Sequence, residues 1–140
     1  MKKIAAIIFE NDNKQLLLFL RDNKQQIPFP NTWDLIGWHI EDWEGVEQAL
    51  LREINEEIDL VPDQFWYEFF KEYYCPSDRD VYENTKHIFI WKLTKPLDKL
   101  ELFEWQRLEY FHYHEIAELE CANMIKDILL DYIQSRNEKN

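Results

Sequence analysis

The chain has 140 residues, a formal net charge of −12 and only two glycines, Gly37 and Gly45. Glycine-rich phosphate cradles of the dinucleotide-binding and P-loop types are excluded, because both need glycines at a close, fixed spacing that this pair does not have. The acidic balance, with no basic cluster to offset it, argues against polymeric nucleic acid and anionic membranes as partners. A small anionic ligand stays compatible if carboxylates hold a divalent cation that reverses the local field.

Length and composition predict a single folded domain over 1–140, since hydrophobic residues make up 46% of the chain. The two cysteines, Cys75 and Cys121, fit neither a zinc spacing nor a disulfide framework. We therefore expect buried free thiols in a reducing compartment. The first apolar run ends at Phe9, which is short for a signal peptide and too short to span a membrane. These features predict a cytoplasmic protein.

The predicted elements are strands on both sides of one long helix, with a second helix at the C-terminus. Apolar, β-branched or aromatic runs predict strands at 4–9, 15–20, 65–74, 87–93 and 108–113. A polar turn separates the first two strands, and a loop at 22–32 leads to a short apolar stretch at 33–36. Helical spacing predicts helices over 44–58 and 114–135. This order favours an α/β/α sandwich with a mixed β-sheet between helices.

Three glutamates lie on one side of the predicted helix over 44–58. At about 100° per residue, Glu53 and Glu57 fall inside the apolar arc and Glu56 lies at its edge. A charged helix face is usually solvated and stabilised by i,i+4 ion pairs. Carboxylates inside an apolar stripe instead need a proton, a basic partner or a metal ion, and the phase favours this interpretation. Ligand sets made only of oxygen favour Mg²⁺ or Mn²⁺ over zinc.

The same segment resembles the signature of the Nudix hydrolases, G-x5-E-x7-R-E-U-x-E-E-x-G-U, in which U is a large aliphatic residue. Seven residues after Glu44, the sequence continues Arg52-Glu53-Ile54-Asn55-Glu56-Glu57, so the charged core of the motif is complete. The departures are all at glycine positions. Trp38 and Asp59 replace the first and last glycine of this pattern, and Trp43 stands where the family usually has a further glycine, just before Glu44. An aspartate tolerates the left-handed conformation that often ends a helix, whereas Trp38 puts a bulky ring into a loop that the family keeps tight.

The resemblance, which extends to the strand order around the motif, implies a Nudix fold. It also implies hydrolysis of a diphosphate bond in a nucleoside diphosphate linked to another group, such as a nucleoside triphosphate. The implied ligands of Mg²⁺, or of Mn²⁺, are the carbonyl of Gly37 and the carboxylates of Glu53, Glu56 and Glu57. Glu53 is implied either as a ligand or as the base that activates water. Glu44 and Arg52 are implied to form an ion pair that orients the catalytic helix.

A further carboxylate is expected from a loop before the last strand. Glu104-Trp105-Gln106, followed by Tyr110-Phe111, is similar to the E-G-Q then W/F arrangement of the members that cleave 8-oxo-dGTP. This similarity makes Glu104 a catalytic candidate together with Glu53 and Glu56, and an exposed loop glutamate is the alternative for Glu104.

Substrate contact is predicted for three residues: Trp38 and Phe29 as stacking surfaces for a base, and His39 as a contact to phosphate. The alternative for each aromatic residue is packing in the core, which strands need whether or not a ligand binds. His112 and His114 stand at i,i+2 and are predicted to share one face of a strand. Two histidines without a third ligand are more typical of a surface or core than of a metal site.

Three functional hypotheses follow. The leading hypothesis is a Mg²⁺-dependent Nudix pyrophosphohydrolase that acts on a small nucleotide, with neither polymeric nucleic acid nor a membrane as a partner. The second is a catalytically impaired Nudix-like domain that binds nucleotides or regulates, and the three missing glycines motivate it. The third is an unrelated acidic interaction module, which requires the phase of the helix to be accidental. Dimers are common in the family, so a homodimer stays an open expectation.

Overall fold

The computed structural model describes residues 2–57, 67–80, 82–93, 106–122 and 124–138; for Trp38 and for residues 55–57 only the backbone is described. These residues form seven strands and three helices: β1 (Lys2–Glu10), β2 (Gln15–Leu20), β3 (Trp33–Asp34), β4 (Ile36–His39), α1 (Val46–Glu57), β5 (Tyr67–Cys75), β6 (Asn84–Lys92), β7 (Arg107–His112), α2 (Tyr113–Ile116) and α3 (Ile125–Glu138).

One mixed sheet forms the centre of the fold. Its main order is β3-β2-β1-β6-β5, with β4 also paired to β1 and β7 also paired to β2. Strand β1 runs parallel to β6 and antiparallel to β2 and β4. Residues 5–10 of β1 are all buried, on both faces of the sheet. A continuous buried run of this kind requires cover on both faces.

Helices supply that cover. Because successive side chains of a strand point to opposite faces, Ala5, Ile7 and Phe9 pack with α1 through Leu50 and Ile54. The alternate positions of the sheet pack with α2 and α3: Ala6, Ile8, Leu16 and Leu18 lie in one cluster with Ile116, Ile128, Leu129 and Tyr132. The α/β/α sandwich predicted from the sequence is confirmed.

The single helix predicted over 114–135 is wrong. The chain instead forms the short helix α2, leaves helical geometry and starts α3 at Ile125. The reason lies in the backbone of Trp33, whose N–H donates to the carbonyl of Glu120 at 2.9 Å and whose carbonyl accepts from the N–H of Ala122 at 2.9 Å. These two bonds extend the sheet beside β3, and tertiary pairing thereby overrides local helical spacing.

Gly37 permits the close approach of β4 to β1. A Cβ built on Gly37 would lie 2.2 Å from the carbonyl oxygen of Ala5 and 2.4 Å from the Cα of Ala6. Real side chains do not make contacts this short, so any larger residue would force the two strands apart. Gly37 therefore has a steric reason to be glycine, whatever its carbonyl binds. No such restriction acts on Gly45, whose Cβ would meet nothing within 4 Å.

Both cysteines are free thiols; Cys75 is buried, and Cys121 is only half-buried. Burial raises the pKa of Cys121 to about 11 and also raises the pKa of Cys75, so both are protonated at neutral pH. In the part of the chain that the structure describes, no helix is both long and apolar enough to cross a bilayer.

Candidate active site

Arg52 on α1 bonds to three parts of the chain. Its Nε and Nη2 donate to the two carboxylate oxygens of Glu44, at 2.9 and 2.6 Å, which is a bidentate ion pair. Its Nη1 donates to Oε1 of Glu53 at 2.5 Å, and its Nη2 also approaches the carbonyl of His39 at 3.4 Å. The loop before α1, the helix itself and the end of β4 are thus held by one guanidinium. We call Arg52, Glu44 and Glu53 the Arg52 cluster.

Glu44 and Arg52 are both charged at neutral pH. Hydrogen bonds from Arg52 lower the pKa of Glu44 from 4.5 to about 2, although burial opposes this shift. The same hydrogen bonds raise the pKa of Arg52. The side chain of Glu44 has 0% exposure, and its Oε1 also accepts from the N–H of Glu41 at 3.0 Å. The ion pair implied by the motif is therefore present and fixes how the chain leads into α1.

Glu53 is a buried carboxylate on an apolar helix face. It is 6% exposed, and its neighbours on α1, Ala49, Leu50 and Ile54, are fully buried. This is the position that the phase of the helix gives it. Glu53 and Glu44 both bond to Arg52, so two carboxyl groups share one guanidinium.

The other predicted ligands are described only in part. Glu56 and Glu57 lie in the last turn of α1, and their side chains are outside the described atoms, as is the ring of Trp38 on β4. Glu104 and Asp59 lie outside the described residues altogether. Among the side chains that are described, no group of three or more His, Cys, Asp or Glu is arranged to hold a metal ion.

The opposite face of the sheet carries a cavity of about 280 Å³, which we call the sheet cavity. Its floor is made of small or apolar residues, Ile4 and Ala6 on β1 and Gly37 on β4. Phe29 and His39, two of the three residues predicted to contact substrate, both border it. The structure thus brings Gly37, His39 and Phe29 to one cavity, which Glu53 does not line.

Two buried ion pairs line the sheet cavity. Arg21 Nη1 lies 3.1 Å from Asp34 Oδ2, and Lys86 Nζ lies 2.6 Å from Asp80 Oδ2. Burial raises the pKa of Asp34 from 3.8 to about 6, with the charge of Arg21 acting in the opposite direction. Sequence reasoning missed these four residues. Asp34 and Lys86 did carry a signal, because each is a charged residue inside a predicted apolar stretch or directly before one.

His39 and Tyr82 form one edge of the sheet cavity. The Tyr82 hydroxyl lies 2.5 Å from Nε2 of His39, and the two rings stack with centroids 5.4 Å apart. Burial lowers the pKa of His39, so this ring is neutral at pH 7.

The prediction that His112 and His114 share one face of a strand is wrong. His112 ends β7, whereas His114 belongs to α2. The turn between the two elements nevertheless stacks the two rings, with centroids 5.6 Å apart and planes 8° apart. Within the described residues, this pair is not part of any group of three or more His, Cys, Asp or Glu that could hold a metal ion.

Comparison with known proteins decides the family. A family model described as the NUDIX domain matches residues 1–132. The chain belongs to the NUDIX domain family. The Arg52 cluster thus lies in a NUDIX domain, and the resemblance seen in the motif is confirmed.

One curated relative is similar to part of the chain, and two solved structures are similar to nearly all of it. An ADP-ribose pyrophosphatase of Methanocaldococcus jannaschii is 44% identical over 55 residues, which is 39% of this chain and 30% of the relative. A mutT/nudix family protein from Listeria innocua has a TM-score of 0.78 at 21% identity, covering 99% of this chain and 95% of the other. The NUDIX domain of Shewanella oneidensis NrtR, solved with ADP ribose, has a TM-score of 0.76 at 18% identity, covering 99% and 88%. At these identities, the two structures establish a shared fold.

Proposed function

We propose that this Nudix protein hydrolyses a diphosphate bond in a nucleoside diphosphate linked to another group, with Mg²⁺, or Mn²⁺, as its metal. The observation that carries the proposal is the Arg52 cluster: a half-buried guanidinium shared by two buried carboxylates, Glu44 just before the helix and Glu53 on it, within the complete charged motif. A buried glutamate, Glu53, on the apolar face of that helix favours a divalent cation, and that cation would in turn allow an acidic protein to bind an anionic substrate.

The donor set fits such a metal. Glu53, Glu56 and Glu57 supply carboxylates from α1, and Gly37 supplies a carbonyl from β4, which packs directly against α1. All are oxygen ligands, as Mg²⁺ prefers. When bound, the metal neutralises charge on the phosphates and lowers the pKa of its bound water.

The protein's own side chains have separate roles in this proposal. Glu53 either binds the metal or takes a proton from the attacking water, with Glu56 and Glu104 as further candidates for that proton. Arg52 and Glu44 are positioning residues, because they hold the orientation of α1 without touching the substrate. Phe29, His39 and Trp38 are proposed to contact the nucleotide. The unit that carries these roles is proposed to be one domain over 1–140.

The substrate is proposed to be a small nucleotide. The Methanocaldococcus relative is named for ADP-ribose, and the NrtR domain was solved with ADP ribose, so ADP-ribose belongs in any substrate panel. Because the chain spans 30% of that relative's length, its substrate is one candidate among several.

Hydrolysis of a substrate panel tests the proposal. The panel contains nucleoside triphosphates, nucleotide sugars, dinucleoside polyphosphates and ADP-ribose, each with and without Mg²⁺. We expect Mg²⁺-dependent release of a nucleoside monophosphate from at least one member, and loss of that release in Glu57→Gln. Glu47→Gln is the matched control, because Glu47 is an exposed glutamate on the same helix and lies outside the proposed site. Release that is the same in wild type and Glu57→Gln would contradict a metal held by α1.

A Nudix-like binding or regulatory domain is the second candidate function. The observation that favours it is the replacement of three motif glycines by Trp38, Trp43 and Asp59. Its signature would be Mg²⁺ or nucleotide binding with no turnover of any member of the panel.

A further inference from the structure

We propose that Asp34 selects, within the sheet cavity, a fused heterocycle whose edge carries a ring N–H beside an amino group, as guanine does. The proposal rests on the proposed function, because the heterocycle is taken to be the base of the nucleotide. It deepens that function by naming the base class, and it concerns the cavity rather than the metal-binding helix.

The shape of the cavity suits a flat ring. Ligand cavities for drug-sized molecules begin at about 300 Å³, and the sheet cavity measures about 280 Å³. Its floor of Ile4, Ala6 and Gly37 is small and apolar, while Phe29 supplies an aromatic wall. Phe29 adopts a left-handed φ of 50°, a conformation that costs a bulky residue free energy and that is concentrated at functional sites.

The charge of the cavity also suits a neutral ring. The molecule carries −12 overall, yet the cavity pairs Arg21 with Asp34 and Lys86 with Asp80. An anionic phosphate gains little from a charge-balanced wall, whereas a neutral heterocycle loses nothing to it. The phosphates of the same nucleotide are better placed near the metal that α1 is proposed to hold.

Asp34 keeps acceptor capacity toward the cavity. Its Oδ1 accepts from the N–H of Leu35 at 2.7 Å, and its Oδ2 accepts from Arg21 at 3.1 Å. An ionised carboxylate has about four acceptor sites in total and no donor, so each oxygen can accept a second hydrogen bond. Lys86, by contrast, directs its ammonium to Asp80 and to Oδ1 of Asn84, both at 2.6 Å. The carboxylate of Asp34 is therefore the charged group of the cavity that can accept hydrogen bonds from a ring edge.

The acceptor-only character of Asp34 determines which ring edge fits. Guanine offers two adjacent donors, N1–H and the 2-amino group, which match the two oxygens of a carboxylate. Adenine and cytosine place a ring acceptor beside their amino group, so that acceptor would face a carboxylate oxygen. Uracil and thymine flank their single N–H with two carbonyls. A ring acceptor held against a carboxylate oxygen is repelled and has no donor to bind, so the carboxylate discriminates against these edges. A pterin carries the same edge as guanine.

Arg21 is the positioning residue for this selection. Besides its bond to Asp34, it donates from Nε to the carbonyls of Pro28 and Phe29, both at 3.2 Å, and from Nη2 to the carbonyl of Pro28 at 2.9 Å. One guanidinium thus holds both the carboxylate that reads the ring edge and the loop that carries the aromatic wall.

Calorimetric titration of the full chain without Mg²⁺ tests the proposal. The probes are the 5′-monophosphates of guanosine, inosine and adenosine; inosine differs from guanosine only by lacking the 2-amino group. We expect guanosine monophosphate to bind about tenfold more tightly than inosine monophosphate, the cost of one charge-assisted hydrogen bond, and adenosine monophosphate to bind more weakly than either. Asp34→Asn should remove most of the preference for guanosine over inosine. Asp127→Asn, an exposed aspartate outside the cavity, should keep it.

Equal affinities for the three monophosphates, tighter binding of adenosine monophosphate, or no binding of any of them would overturn the proposal. The comparison of ligands on the unaltered protein decides the matter even if Asp34→Asn does not fold. A parallel titration with guanosine and neopterin distinguishes the two sources of the edge, and tighter binding of either compound than of inosine supports the role of Asp34. The readout needs no hydrolysis, so failure here and failure of the proposed function are separate results.

Discussion

On the α1 face of the sheet one guanidinium serves two carboxylates, whereas on the α3 face each buried carboxylate of the sheet cavity has its own cation. Among the described side chains, the Arg52 cluster thus has one cation for two carboxyl groups, whereas the ion pairs of the sheet cavity are one to one. We propose that this difference lets a protein of net charge −12 bind a nucleotide. A cation held by α1 would bind the phosphates, and the sheet cavity would accept the neutral ring.

The buried carboxyl groups of the two faces have pKa values that are shifted in opposite directions. The pKa of Glu44 is lowered to about 2 because Arg52 binds both of its oxygens, and the pKa of Asp34 is raised to about 6 because burial outweighs Arg21. A carboxylate held by a bidentate pair serves as a fixed anchor. A carboxylate whose desolvation is incompletely offset retains the capacity to gain from a further hydrogen-bond donor, such as a ligand.

The largest expected effect is on hydrolysis, which should depend on Glu53 on the α1 face, whereas ligand preference should not. Glu53→Gln should lower the rate of Mg²⁺-dependent hydrolysis by about 10²-fold or more, because the variant loses either a ligand or a base. The preference for guanosine over inosine monophosphate, measured without metal, should stay unchanged. Steady-state kinetics and calorimetry on the same preparation provide both readouts. A loss of ligand preference equal to the loss of activity would mean that the two faces do not work separately.

Stability gives the next comparison. Arg52→Ala leaves the carboxylates of Glu44 and Glu53 buried without their cation and should lower the melting temperature by roughly 6 °C or more. Arg79→Ala removes an arginine whose partner is the half-exposed Asp127, and it should lower the melting temperature by roughly 2 °C or less. Thermal unfolding followed by circular dichroism measures both. Equal shifts would show that burial of the Arg52 cluster adds nothing to its ion pairs.

The pH dependence of stability should have opposite signs on the two faces. The pKa of Glu44 falls from 4.5 to about 2 on folding, so its contribution is present above pH 4.5 and is lost as the pH falls toward 2. The pKa of Asp34 rises from 3.8 to about 6, so the folded state takes up a proton in this window and gains stability as the pH falls from 6 toward 3.8.

Urea unfolding of Glu44→Gln and Asp34→Asn at a series of pH values measures this difference. The free energy of unfolding of wild type minus that of Glu44→Gln should increase as the pH rises from 2 to 4.5. The corresponding difference between wild type and Asp34→Asn should decrease as the pH rises from 3.8 to 6. The same slope for both variants would contradict the environments assigned to these two carboxyl groups.

The smallest expected effect concerns the attachment of α3. The Tyr132 hydroxyl donates to Oε1 of Glu10 at 2.7 Å, where Tyr113 and Arg136 also bind the same carboxylate. Tyr132→Phe should cost about 1 kcal/mol, because one hydrogen bond is lost while the ring keeps its packing. Hydrolysis and ligand preference should be unaffected, since Glu10 lies away from the sheet cavity and from α1. Chemical denaturation measures the change.

The local sequence predicted the Arg52 cluster on the α1 face, but it did not predict the ion pairs of the sheet cavity. The Glu44 and Arg52 pair lies within one motif, and the periodicity of a helix determines that Glu53 falls among apolar neighbours. Arg21 and Asp34 are 13 residues apart in the sequence and meet through the pairing of β2 with β3. Such contacts depend on sheet register, which periodicity does not specify. The helix predicted over 114–135 failed for the same reason, because a backbone partner on β3 interrupts it.

The most direct test of the division between the two faces is a comparison of kcat and KM for the best substrate of the panel in wild type, Glu57→Gln and Asp34→Asn. We expect Glu57→Gln to lower kcat by about 10²-fold or more with Mg²⁺ present, and Asp34→Asn to raise KM with a smaller change in kcat. Undiminished kcat in Glu57→Gln would contradict hydrolysis by the glutamates of α1. An unchanged KM in Asp34→Asn would contradict ring selection in the sheet cavity.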